Sequence, residues 1–104
     1  MSTPEGKIQL NILRFLRAHS VLCWRSQPST YNHKLHIYQS NPYVMKGTPD
    51  IIAVIKGKFV GIEVKAPTGR MSADQILFQK RLEAHGGIYV LAKSVEVVAH
   101  LVGK

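Results

Sequence analysis

The chain has 104 residues, 45% of them hydrophobic, and its 14 Lys and Arg against 6 Asp and Glu give a formal net charge of +8. This length suits one domain with one core, and no apolar run approaches the roughly 20 residues that a membrane-spanning helix needs. The basic excess favours a polyanionic partner, with nucleic acid first and an anionic membrane surface second, against the alternative of a basic protein with no such partner. Because Cys23 is the only cysteine, a disulfide within the chain is excluded and a cytoplasmic location is expected.

An N-terminal helix is the first predicted element. Thr3 is a suitable N-cap, Pro4 suits the first helical position, and Glu5 suits the positive end of the helix dipole. The N-terminus also lacks the basic start and apolar core of a signal peptide, so we interpret it as part of the domain. The inner face of the helix is predicted from the residues that recur at helical spacing, namely Ile8, Ile12, Phe15, Leu16 and His19.

Residues 27–47 form the least regular segment, after a predicted strand over residues 21–26. The segment is long for a loop in a compact domain, so we expect an extra strand near "KLHIYQ". Its basic and aromatic residues are interleaved, a mixture that suits contact with phosphates and stacking on bases or sugars. A plain surface loop is the alternative interpretation.

The stretch "DIIAVIKGKFVGIEVK" predicts a β-hairpin joined at Lys56-Gly57. A two-residue turn there places Asp50 directly opposite Glu63, and Lys65, two residues beyond Glu63, lies on the same face. A three-residue turn would move Asp50 to the other face. The two-residue turn therefore predicts three charged side chains at the open end of a strongly apolar hairpin.

A second helix is predicted over residues 72–85, because Ser72 and Gln75 form a capping box and Gly86-Gly87 ends the pattern. A buried strand, "IYVLA", and a short C-terminal helix capped by Ser94 complete the chain. The sequence thus predicts a single α/β domain over residues 1–104, with a central mixed sheet flanked by helices in the order α-β-β-β-α-β-α. The apolar side of the second helix is predicted from Ile76, Leu77, Phe78 and Leu82.

The charged cluster in the hairpin has a chemical interpretation. Two carboxylates that converge on one face repel each other unless a cation lies between them, and a hard divalent ion such as Mg²⁺ accepts such oxygens. Beside a phosphodiester, such an ion polarises the phosphate and lowers the pKa of a bound water, and a nearby Lys can hold or deprotonate that water. Asp50, Glu63 and Lys65 therefore predict a phosphodiesterase site. The alternative is an internal salt bridge from Lys65 to Glu63 or Asp50.

Four stretches carry a resemblance to a known family. "GTPD" followed by "GIEVK", in this order of helix and strands, resembles the PD-(D/E)XK nuclease superfamily. The chain more closely resembles a stand-alone VRR-NUC (virus-type replication-repair nuclease) domain, over "PEGKIQLNILRFL", "GTPDII", "GIEVKAPTGRMSADQ" and "HGGIYVLAKSVEVV". The resemblance covers nearly the whole chain. It implies a restriction-endonuclease-like fold and a phage or prophage protein that acts in the cytoplasm of a bacterial host.

The resemblance also implies roles for individual residues in metal binding. Asp50 and Glu63 match the metal-binding carboxylates of the family, and the backbone carbonyl of Val64 matches a further ligand. Glu5 matches an acidic residue on the first helix that reaches the same site and can help to bind the metal. The expected cofactor is Mg²⁺ or Mn²⁺, with no small-molecule cofactor.

Two more roles follow from the same resemblance. Lys65 matches the residue that activates water, and Gln75 matches a glutamine that supports the site from the second helix. The expected activity is a structure-specific DNA endonuclease that hydrolyses phosphodiester bonds, on branched DNA such as four-way (Holliday) junctions. The alternatives are a non-catalytic basic DNA-binding module and a general DNA nickase without junction preference. The candidate DNA contacts, in segments that flank the site, are Lys34, Lys46, Arg70 and Tyr31.

A symmetric homodimer is the expected assembly. One site cuts one strand, whereas a four-way junction has two-fold symmetry and needs two cuts, which a two-fold dimer supplies with one repeated surface. No membrane partner is expected. Apolar residues for the interface are predicted in "VEVVAHLV" at the C-terminus and at Tyr38, Tyr43 and Val44, with core packing as the alternative for each.

Overall fold

A mixed four-stranded sheet forms the centre of the fold in the computed structural model, which describes residues 3–26, 30–32, 37–39, 43 and 45–103 and, for 30–32 and 37–39, only the backbone. The helices are α1 (Pro4–Ala18), α2 (Ala73–Ala84) and α3 (Val95–Ala99), and a 3₁₀ turn over His100–Val102 follows α3. The strands are β1 (Leu22–Arg25), β2 (Thr30–Asn32), β3 (Ile37–Gln39), β4 (Ile51–Ile55), β5 (Lys58–Val64) and β6 (Ile88–Ala92).

The central sheet has the strand order β1-β4-β5-β6, in which only β6 runs parallel to its neighbour. The predicted α/β class with a mixed sheet flanked by helices is confirmed. The strand expected near "KLHIYQ" is present as β3, but it pairs with β2 in a separate two-stranded sheet. The predicted element order therefore lacked this small hairpin, because its three-residue strands are too short to show a period.

The turn between β4 and β5 has the predicted length. Lys56 and Gly57 both have positive φ, at +54° and +78°, as a two-residue hairpin turn with the twist of the flanking strands requires. Ile55 pairs with Lys58 and Ile51 with Ile62, so the register places Asp50 opposite Glu63. The three-residue alternative is thereby excluded.

Alternation along β4 and β5 divides the sheet into two faces. One face, here called the core face, packs against α1 and α3 and is apolar except at its margins, where Arg25 and Lys58 are exposed. Burying this face supplies the main hydrophobic stabilisation of the domain. The buried residues of the core face in β4 and β5 are Ile51, Ala53, Ile55, Val60, Ile62 and Val64.

Helix termini follow the predicted capping in two of three cases. The Thr3 hydroxyl oxygen accepts a hydrogen bond from the Gly6 amide at 2.9 Å, and Ser72 and Gln75 form the expected capping box. Ser94 occupies the N-cap position of α3, but its side chain makes no capping hydrogen bond. The prediction for Ser94 was therefore correct in position and wrong in mechanism.

Two predicted apolar faces differ from the structure. Ile12 and Leu16 are buried as expected, but His19 follows the end of α1, is exposed, and stacks on Phe15 with ring centroids 4.2 Å apart. In α2 no residue is fully buried, and Ile76 and Leu77, two of the four residues assigned to its apolar side, are exposed. This helix contacts the sheet at a few places, such as Leu82 beside Gly61, rather than through a broad apolar stripe.

The C-terminal segment belongs largely to the core. Val98 is buried, and Val95, Leu101 and Val102 pack against the core cluster, so the core-packing alternative holds for most of "VEVVAHLV". Val97 remains exposed. Within the part of the chain that the structure describes, no helix combines the length and apolar character needed to cross a membrane.

Candidate active site

Asp50 is held in place through both its backbone and its side chain. It lies just before β4, where its carbonyl oxygen accepts a hydrogen bond from the Ser26 amide at 2.9 Å. Its Oδ2 accepts a second hydrogen bond from the Val64 amide of β5, also at 2.9 Å. The carboxylate therefore bridges the open end of the hairpin.

The residues before Asp50 are wedged between α2 and β5. Gly47 has φ +79°, and a Cβ there would overlap the backbone of Asp74 at the start of α2. Pro49 is buried and lies over Gly61, where an added Cβ would come within 2.7 Å of the Pro49 Cγ. Both glycines thus allow the close approach that positions the "GTPD" stretch over the sheet.

Glu63 is the only buried charged side chain among the described residues, with 3% of its surface exposed. Its Oε2 accepts a hydrogen bond from the Gln75 Nε2 at 2.9 Å and lies 3.8 Å from the Lys65 Nζ. Its Oε1 is buried and has no hydrogen-bond partner within the described part of the chain. A buried carboxylate oxygen without a partner costs free energy, so this atom is free to accept a ligand.

Gln75 links the second helix to this carboxylate. Its side-chain Oε1 accepts a hydrogen bond from the Ser72 backbone amide at 2.9 Å, and its backbone amide donates to the Ser72 Oγ at 3.2 Å. The remaining group, Nε2, donates to Glu63. A single side-chain amide therefore caps α2 and fixes the orientation of Glu63, which couples the helix terminus to the site.

Burial raises the pKa of the Glu63 carboxyl to about 8. The negative charge of Asp50 adds to this increase, and the charge of Glu5 contributes in the same direction. The charge of Lys65 lowers the pKa of Glu63 but does not compensate for the other effects. At neutral pH and without a further cation, Glu63 therefore favours its protonated form, and a bound cation would favour the ionised one.

Glu5 reaches the edge of this cluster from α1. Its Oε2 accepts a hydrogen bond from the Ala66 amide, long at 3.4 Å. Within residues 3–26, 43 and 45–103, no three His, Cys, Asp or Glu side chains come together as a metal-binding group. The donors nearest to such a set are the carboxylates of Asp50 and Glu63, and their hard oxygens with one unpartnered atom fit a divalent ion completed by water.

The predicted DNA contacts are not part of this cluster of side chains. Lys46 and Arg70 are exposed, and Lys46 lines a cleft of about 320 Å³ beside α2. Lys34 lies outside the described residues, and Tyr31 is described only as part of β2. Asp50, Glu63, Lys65 and Gln75 are thus brought together, with Glu5 at the edge, and the role of each, like that of the Val64 carbonyl, stays a prediction.

Tyr89 is a neighbour of the site that sequence reasoning missed. It lies on β6 paired with Gly61, is 8% exposed, and its hydroxyl is buried with no partner within the described residues. Burial and the charges of Glu63 and Asp50 raise the pKa of Tyr89 above its usual value. The available signal was a tyrosine within the apolar strand "IYVLA", since a buried phenol normally needs a hydrogen-bond partner.

Comparisons with known proteins identify a family and a shared fold. A model of the VRR-NUC domain family matches residues 5–96. One solved structure, described as a VRR_NUC domain, is 20% identical with a TM-score of 0.70 over 97% of this chain and 96% of its own. A second, described as a VRR_NUC domain protein, is 15% identical with a TM-score of 0.60 over 98% and 87%. No curated protein matches the chain. The structural likenesses show a shared fold, and the family match over most of the chain shows that it belongs to the VRR-NUC family of nuclease-type, DNA-processing domains.

Proposed function

We propose that this chain is a divalent-metal-dependent endonuclease that hydrolyses DNA phosphodiester bonds. The observation that carries the proposal is the buried Glu63 beside the partly buried Asp50, with one Glu63 oxygen unpartnered among the described residues, in a chain of net charge +8. A strongly basic protein gains little from burying two like charges together for stability alone. A cation at this place explains the pairing, and the basic surface around it suits a polyanionic substrate.

The residues that would hold the ion are Asp50 and Glu63, with the Val64 carbonyl and Glu5 as further oxygen donors. An Mg²⁺ or Mn²⁺ ion bound there would act as a Lewis acid on the phosphate and lower the pKa of water. Gln75 contributes by keeping Glu63 in a single orientation through its 2.9 Å hydrogen bond. Fixed ligands of this kind make a site more effective because they need no reorganisation during reaction.

Lys65 is the residue that positions and activates the attacking water. Its ammonium nitrogen lies 3.8 Å from Glu63, too long for a strong ion pair, and 16% of its side chain is exposed. It therefore lies between the buried carboxylate and solvent, where it can hold a water, accept its proton or offset charge that develops on the phosphate. The salt-bridge alternative accounts for the position of Lys65 but not for a second carboxylate, Asp50, so close to Glu63 that its charge raises the pKa of Glu63.

The proposed substrate is branched DNA, such as a four-way junction, cut by a symmetric homodimer. Most of the C-terminal segment lies in the core, and Val44 and the side chain of Tyr38 lie outside the described residues, so we place the dimer contact instead on an apolar row that crosses three strands of the sheet. Leu22, Val54 and Phe59 lie side by side in this row, all are exposed, and Leu22 is 64% exposed. An exposed row of large apolar side chains is typical of an interaction surface.

Cleavage of a panel of labelled substrates, with Mg²⁺, Mn²⁺ or EDTA, tests the activity. The panel consists of duplex, single strand, flap, splayed arm and four-way junction. We expect metal-dependent cleavage that EDTA abolishes, fastest on the junction. Binding without cleavage under all conditions would support the non-catalytic DNA-binding module instead, and equal rates on junction and duplex would support a general nickase.

Sedimentation equilibrium tests the dimer separately. Leu22→Glu should convert a dimer to a monomer, because it places a charge in the apolar row. Val97→Glu is the matched control, since Val97 is an exposed valine on α3. A wild-type monomer at micromolar concentration, or equal effects of the two substitutions, would contradict this assembly.

A further inference from the structure

Three arginines converge on a cleft that the catalytic proposal does not use. Arg14 and Arg17 of α1 and Arg25 of β1 line a cavity of about 450 Å³, together with Leu10 and Leu13. Arg14 and Arg17 are three residues apart on the helix, so they lie on the same side of it. We call this feature the arginine cleft.

The cleft has no acidic counterpart in the described structure. All six Asp and Glu residues of the chain are described, and their only ion pair within 4.0 Å of a described basic side chain is that of Glu63 with Lys65. The three guanidinium groups therefore lie together without a carboxylate to neutralise them. Like charges held in one cleft disfavour each other unless an anion binds there, so the cleft is poised to accept one.

The position of the cleft relates it to the site. Arg25 pairs with Ile51, the residue that follows Asp50. It shares a face with Cys23, which is buried on the core face, whereas Glu63 and Gln75 meet on the opposite face. The arginine cleft and the carboxylates therefore lie on opposite faces of the sheet. Both are near the same end of the sheet, and the cleft is at the edge strand β1.

We propose that the arginine cleft binds the phosphate backbone of a DNA segment outside the one that is cleaved, such as a second arm of a branched substrate. This proposal rests on the proposed function and adds a binding surface to it. Guanidinium groups match phosphate oxygens in bidentate pairs, which is why arginine, rather than lysine, suits such a contact. Leu10 and Leu13 give the cleft an apolar wall against which a deoxyribose can pack.

Binding of a four-way junction by the full chain tests the proposal, with Lys65→Ala present in every protein so that no cleavage occurs. The test variant combines Arg14→Gln, Arg17→Gln and Arg25→Gln. The matched control combines Lys56→Gln, Lys58→Gln and Lys80→Gln, which removes the same charge from exposed residues away from the cleft. The dissociation constant of each is measured over a series of salt concentrations, and circular dichroism confirms that each is folded.

The arginine variant should bind the junction at least about tenfold more weakly, and the slope of log affinity against log salt should flatten by about two to three units, at roughly 0.9 per lost phosphate contact. The control should change both quantities much less. Equal effects of the two variants would show that the three arginines act only through the net charge of the protein, and this would overturn the proposal. If the triple variant is unfolded, Arg14→Gln alone, an exposed mid-helix substitution, should still flatten the slope by about one unit.

A cleavage assay tests this proposal separately from the proposed nuclease activity. With Lys65 intact, the arginine variant should show a raised KM on the junction and a kcat within about twofold of the wild type, because the lost contacts bind the substrate without touching the reacting group. Metal-dependent cleavage that does not depend on the three arginines would overturn the cleft proposal alone. Arginine-dependent binding without any cleavage would overturn the catalytic proposal alone, and no DNA binding by the wild type would overturn both.

Discussion

The two faces of the β4–β5 hairpin differ sharply although one run of residues forms both. On the core face every residue except Lys58, beside the turn, is apolar and buried. The opposite face, which we call the site face, carries Val54 and Phe59 exposed at the turn end and Glu63 buried at the open end. Gly61 lies between them, beneath Pro49. The core face stabilises the strands, and this allows the site face to hold charges that are unfavourable for folding.

This division predicts that substitutions on the site face affect activity and those on the core face affect stability. The largest expected effect is on the carboxylates. Asp50→Asn and Glu63→Gln should each lower DNA cleavage by at least about 100-fold and weaken Mn²⁺ binding, because each removes a ligand charge while keeping the side-chain shape. Calorimetric titration of Mn²⁺ and a cleavage assay measure the two quantities. Wild-type metal affinity in both variants would contradict the assignment.

On the core face, Ile62→Ala should lower the free energy of unfolding by about 2–5 kcal/mol, because it leaves a cavity beneath the helices. The matched substitution is Leu77→Ala, whose side chain is 47% exposed on α2, the helix that covers the site face. It should cost less than about 1 kcal/mol. Urea denaturation of both variants sharpens the comparison, and equal losses would mean that the two faces are not divided in this way.

The raised pKa of Glu63 predicts how metal-free stability depends on pH. The folded carboxyl titrates at about 8 against an ordinary value of 4.5, so between these values the folded state binds more protons than the unfolded one. The free energy of unfolding in EDTA should therefore fall as pH rises from 5 to 8, by at most about 1.4 kcal/mol per pH unit. Glu63→Gln should remove this part of the slope. Denaturation at both pH values measures it, and identical slopes for wild type and variant would contradict the prediction.

The smallest effect is expected at Tyr89, whose hydroxyl is buried on the site face without a partner in the described residues. Tyr89→Phe should leave the free energy of unfolding unchanged or raise it by up to about 1 kcal/mol, because no hydrogen bond is lost. Thermal and urea denaturation test this. A clear loss of stability would show that the hydroxyl is hydrogen-bonded in solution and belongs to the site.

Local chemistry explains which features could be predicted from the sequence. The Lys56-Gly57 turn determined the register and therefore brought Asp50 and Glu63 together, and the capping box placed Gln75 at the start of α2. Both depend on neighbouring residues in the chain. The resemblance then added Glu5, which no local pattern connects with Ala66, 61 residues away.

The features that could not be predicted depend on packing between distant elements. The apolar residues of α2 did not reveal that the helix lies largely exposed, since the sheet beneath it offers Gly61 and Pro49 rather than a broad apolar surface. The arginine cleft combines residues from a helix and an edge strand that share no motif. The raised pKa of Glu63 arises from its burial, which the sequence alone does not specify.

The central claim is that the charges on the site face perform chemistry rather than stabilise the fold, and Lys65→Ala tests it most directly. Cleavage of a four-way junction in Mg²⁺ and the affinity for the same junction in EDTA should be measured on one preparation. We expect cleavage to fall by at least about 100-fold, while affinity stays within a few-fold and the fold remains intact, because Lys65 acts on water rather than on the DNA as a whole. Wild-type turnover in Lys65→Ala would contradict the account.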